Sequence, residues 1–156
     1  MTFNAERFQR LLDAVIRERD NPEPNRRFDM GTYGYIDTNP GAGAFCGTAC
    51  CAMGLGLLTG IFDGVTPVYQ PNWREEFNLH PLSNSGIMDW EDLGEEQLGL
   101  SHDEYYHLFV GGRSLDAQIG VMQKFLVKKT APVVIPERQK ELTRYVAGCT
   151  FGQGLG

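Results

Sequence analysis

Apolar residues along this chain recur mostly at helical spacing. Phe8, Leu11, Leu12, Val15 and Ile16 fall at i, i+3, i+4, i+7 and i+8, with charged residues between them, and predict an amphipathic first helix. Pro22 and Pro24 end it. Residues 29–45 are glycine-rich and without helical period, which predicts a long loop. A second helix is expected over 46–59, where Cys46, Cys50, Met53 and Leu57 form one continuous face. Residues 60–86, with three prolines, read as irregular.

The second half carries sharper signals. Asp89 is placed to cap a helix over 90–98 that Gly99 stops. Ser101 caps the next, with Glu104 three positions on completing a capping box and Leu100 and Tyr105 placed as a hydrophobic staple. Its inward stripe is Tyr105, Leu108 and Phe109, and Gly111-Gly112 ends it. Ser114 opens a helix with Leu115, Ile119, Met122 and Leu126 on one side. The run Pro-Val-Val-Ile at 132–135 is a candidate isolated strand. Pro136 starts a last helix with Leu142, Tyr145 and Val146 inward and Gly148 as its stop. The expected fold is therefore all-α: one domain over 1–156, about six short helices joined by long Gly/Pro-rich loops.

Charge changes the picture along the chain. Residues 1–28 carry six basic and five acidic side chains, residues 29–119 two and thirteen, and residues 120–156 six and two. The stretch from Asp89 to Glu104 alone holds seven carboxylates and no basic residue. Such a surface repels phosphate backbones, which excludes general nucleic-acid binding. It suits a basic protein partner, and Asp89, Glu91, Asp92, Glu95 and Glu96 are the candidate partner-binding residues. The charged, amphipathic N-terminus does not resemble a signal peptide, and no apolar run is long enough to span a membrane. A cytoplasmic protein with no membrane contact is expected, and its cysteines are expected as free thiols.

Phe45-Cys-Gly-Thr-Ala-Cys-Cys-Ala-Met-Gly54 is the stretch most suggestive of chemistry. At the start of a helix, the Cys46 thiol would feel the positive end of the dipole and could serve as a nucleophile. Such an enzyme needs a histidine base among His80, His102 and His107, and His107 lies one turn beyond Asp103, so an Asp103–His107 pair is feasible. The competing reading makes Cys46 and Cys50 small buried hydrophobes, with Gly54 where a neighbouring helix crosses. A metal-stabilised domain is a third reading. It lacks the second short-spaced ligand pair that a structural zinc site uses, so no metal ligand and no cofactor is assigned.

The order Phe28-Asp29-Met30, Cys46-Gly47-Thr48-Ala49-Cys50-Cys51-Ala52-Met53-Gly54, Leu98-Gly99-Leu100 and Leu108-Phe109 resembles a group of short, largely uncharacterised bacterial and phage proteins. The resemblance implies a shared helical core and a bacterial cell or phage-infected host as the setting. It brings no activity with it. The leading functional expectation is a small acidic protein that binds another protein, such as a phage-encoded inhibitor, accessory factor or particle component. A thiol enzyme built on Cys46 is the alternative.

Overall fold

The computed structural model describes residues 2–24, 26–36, 48–73 and 76–132. Helix α1 (Ala5–Asp20) forms where the periodicity places it, its first turn capped by Asn4, whose side chain accepts from the Arg7 amide at 2.9 Å. Phe8, Leu11, Leu12 and Val15 are buried, and Ile16 packs at the margin of the same core. Two later helices match their expected limits: α3 (Trp90–Leu98), closed by Gly99 in the left-handed conformation, and α4 (His102–Phe109). The Ser101 hydroxyl accepts from the Glu104 amide at 3.2 Å and the Glu104 carboxylate accepts from the Ser101 amide at 3.0 Å. Ser101→Ala should therefore lower stability by about 1 kcal/mol. Equal denaturation midpoints for variant and parent would contradict the cap's contribution. Helix α5 (Leu115–Thr130) starts at Ser114, whose side chain accepts from the Ala117 amide.

The all-α expectation fails between these helices. Alongside the five helices the described residues hold six strands: β1 (Arg26–Phe28), β2 (Gly34–Ile36), β3 (Thr48–Cys50), β4 (Thr66–Pro71), β5 (Phe77–Ser83) and β6 (Gly86–Ile87). They form one mixed sheet in the order β1-β3-β2-β5-β4, with β6 paired to β5. Only β1 and β3 run parallel. The fold is mixed α/β.

Two physical causes hide the sheet from the sequence. β1, β2 and β3 are three residues each, too short to display an alternation. The segment read as irregular is a β4–β5 hairpin in which Pro67 faces Pro81 and Pro71 faces Phe77. Those pairs are an even number of residues apart, so all three prolines fall where the antiparallel ladder directs the N–H away from the partner strand. β4 is an edge strand, so no hydrogen bond is lost outside it. Pro81 lies between the part of β5 paired with β2 and the part paired with β6.

The second helix also needs correction. α2 spans only Ala52–Leu58, and Thr48–Cys50 form the strand between β1 and β2. Cys50 and Met53 therefore do not share a helical face. Ala52 to Leu57 are all buried, as expected of a helix apolar on every side. α1 packs against α2 and α5, α2 against β4 and β3, and α3 against β5. A single cluster joins Phe8, Leu11, Met53, Leu79, Leu93, Tyr105 and Met122. The loop expected over 29–45 is interrupted by β2 at Gly34–Ile36. Its 37–45 part, the 133–135 part of the expected short strand, the helix from Pro136 and the thiols of Cys46 and Cys149 lie outside the described residues.

Candidate functional site: an acidic groove

Helix α3 turns Trp90, Leu93, Gly94, Gln97 and Leu98 into the core. Its outward positions are then Asp92, Glu95 and Glu96, all exposed, with exposed Asp89 at its N-cap. Trp90 is anchored by stacking on Tyr33, with ring centroids 4.6 Å apart and ring planes nearly parallel. Gly94 allows the Tyr105 ring to lie against the helix, since a Cβ there would come within 2.5 Å of a ring carbon. These contacts fix which face of α3 is left to solvent.

A loop around Asp63 is fastened beside that face. The Gln97 side chain accepts from the Asp63 amide at 3.0 Å and donates to the Asp63 carbonyl at 2.9 Å. Arg7 reaches from α1 to donate to both the Asp63 carboxylate and the Gln97 carbonyl. The turn between β5 and β6 forms the facing wall. Together they bound a groove of about 560 Å³ lined by Asp63, Asp89, Asp92, Glu95 and Glu96, with Val65, Ile87 and Met88 among its apolar lining.

No Lys, Arg or His is among the described residues lining this groove. Asp63 is paired with Arg7; Asp89, Asp92, Glu95 and Glu96 have no ion pair among the described residues. Four of the five residues expected to face a partner thus converge on one concavity. The fifth does not: Glu91 accepts from the Tyr106 hydroxyl at 2.5 Å and lies 3.0 Å from His102 Nδ1. Asp63 joins the set from a loop about thirty residues away, and nothing local in its sequence marks it.

The residues of the thiol reading are not assembled among the described residues. Asp103 and His107 are exposed on α4 and line a different groove, against α5. Cys46 lies outside the described residues, and α2 begins at Ala52 with Cys51, not Cys46, as its N-cap. Both described thiols are buried. Burial pushes the Cys50 thiol up to about 12, against the opposing influence of Arg26. It pushes Cys51 up to about 11, although the amides of Met53 and Gly54 favour the thiolate. Cys51 borders a cavity of about 250 Å³ with Tyr33 and Phe109, and no histidine is among its described lining residues. Among the described residues no group of three or more His, Cys, Asp or Glu side chains is arranged to hold a metal ion.

Native Cys50 and Cys51 should accordingly react with a thiol reagent at neutral pH far more slowly than in denaturant. Mass spectrometry at each cysteine reads this directly, and rapid native labelling of either would refute their inertness. The sign of the pH effect also follows. Folding favours the protonated thiols, so their contribution to stability is full below the unfolded pKa of about 8.5 and declines as pH rises toward the folded values.

Compared with protein-family models, curated proteins and solved structures, the chain matches none. No helix of the described residues is long and apolar enough to cross a membrane.

Proposed function

We propose that this protein acts by binding another protein, and that the acidic groove receives a Lys- or Arg-bearing segment of that partner. One observation carries the reading: five carboxylates line a single groove of about 560 Å³ with no basic side chain among its described lining residues. A concave site of one charge sign focuses the field and raises the encounter rate of an oppositely charged partner. The apolar residues Val65, Ile87 and Met88 offer the stem of a lysine or arginine a surface to lie on. Gln97 and Arg7 hold the Asp63 loop beside α3, so the two walls that carry the carboxylates need no ordering on association. The setting implied by the sequence resemblance, a bacterial or phage-infected cell, accommodates an inhibitor or accessory factor of this kind.

The test is charge reversal on the outward face of α3. Glu95→Lys combined with Glu96→Lys should leave the far-ultraviolet circular dichroism unchanged, because both side chains are exposed. Association with a partner captured from the native host should fall about tenfold or more at low salt, the scale of electrostatic steering. Raising the salt concentration should weaken the parent's association and leave the variant's nearly flat. Capture by the variant at low salt equal to the parent's would overturn the proposal.

A further inference from the structure

Strand β6 leaves backbone groups unpaired on the wall of the acidic groove. The Met88 amide donates to the Pro81 carbonyl at 2.9 Å, which makes these two a hydrogen-bonded pair of the antiparallel β5–β6 ladder. Bonded and non-bonded pairs alternate, so Ile87, opposite Leu82, turns its N–H and C=O away from β5. Neither group has a hydrogen bond among the described residues. The β4 edge is closed in a way that β6 is not. Pro67 and Pro71 stand where the amides of β4 would point outward, and proline supplies none. Alternation also sets the faces. The Ile87 side chain, 46% exposed, lies with Leu82 on the sheet face turned away from the core. Met88 packs on the opposite face, where α3 crosses β5.

We propose that the partner segment is an extended strand that adds to the β6 edge, with basic residues alternating around an apolar one. This rests on the reading that the groove takes a Lys- or Arg-bearing segment, and it names the form of that segment. A residue laid beside Ile87 bonds its N–H and C=O together, the usual way a peptide joins a sheet edge. That residue shares the outward face of Ile87, where an apolar side chain covers the exposed Ile87. The residues before and after it point to the α3 side, about 6.6 Å apart. Asp92 and the Glu95-Glu96 pair stand there, one turn of α3 apart at about 5.4 Å. The pitch of an alternating strand thus brings one cation to each turn of carboxylates. A helix could present the same charges, but its backbone groups are bonded internally and would leave Ile87 unmet.

Two synthetic peptides titrated into the full-length protein at low salt test this. One is Lys-Val-Lys-Val-Lys with blocked ends; the other is the same peptide methylated on both valine amide nitrogens. Their charge and side chains are identical, and only the strand-pairing donors differ. The methylated peptide should bind about tenfold more weakly, the scale of a lost hydrogen bond and its unmet partner. Hydrogen exchange at the Ile87 amide, read by nuclear magnetic resonance, should slow when the unmethylated peptide is bound. Glu95→Lys with Glu96→Lys should weaken both peptides. Equal affinity for the two peptides would overturn strand addition while leaving the basic-segment reading in place. Binding of neither peptide would overturn both.

Discussion

Gly54→Ala is expected to cost ~3 kcal/mol or more, the upper end of overpacking penalties, and to leave little folded protein. A Cβ at this position would lie 1.9 Å from the Tyr33 carbonyl oxygen and 3.0 Å from the Cys50 Cβ. The obstacle is backbone, so no side-chain rotation relieves it. Tyr33 is also held at its far end, where its ring stacks on Trp90 and its hydroxyl accepts from Tyr105 at 2.8 Å. α2 cannot retreat either, because Ala52 to Leu57 are buried on every side. Gly120→Ala is the matching control. It lies inside α5 with no heavy atom within 4 Å of the added methyl, so the same change should stabilise by up to ~1 kcal/mol. Chemical denaturation of both variants reads the contrast. A Gly54→Ala midpoint equal to the parent's would show that the close approach of α2 to Tyr33 is not maintained.

Gly54 also marks how far the sequence could be read. Its glycine correctly signals a close approach, but the expected neighbour was a crossing helix, and the actual one is the chain entering β2. Single-chain periodicity reports which face of an element is buried and is silent on what lies against it. The helices with strong local chemistry were legible for that reason: Ser101 with Glu104, Gly99 after Leu98 and the stripe from Phe8 to Val15 all act within a few residues. β1, β2 and β3 owe their pairing to partners far along the chain, and three residues carry no pattern to announce it. The candidate site divides the same way. Asp92, Glu95 and Glu96 were legible as one acidic face of a helix, while Asp63 enters the groove only because Gln97 and Arg7 hold its loop there.

Arg26→Met should be comparably damaging, and for a reason equally invisible in the sequence. Glu18, in the last turn of α1, is only 4% exposed, and its carboxylate accepts from Arg26 Nε at 3.1 and 3.2 Å and from Nη2 at 2.7 Å. This bidentate pair ties α1 to the β1 edge of the sheet. Burial opposes the charge on Arg26, yet its pKa is raised, because the hydrogen bonds to Glu18 outweigh that opposition. Removing the guanidinium leaves a buried carboxylate with its partner gone, and the expected cost is about 3–5 kcal/mol. Glu18→Leu should cost less, since Arg26 is 20% exposed and its long side chain can reach water. The decisive measurement is the double variant, Glu18→Leu with Arg26→Met. Replacing both charges by apolar groups of similar volume leaves none orphaned, so it should be markedly more stable than Arg26→Met alone. Additive losses in the cycle would mean that the two side chains act independently, and that the attachment of α1 to the sheet rests on packing and not on this pair.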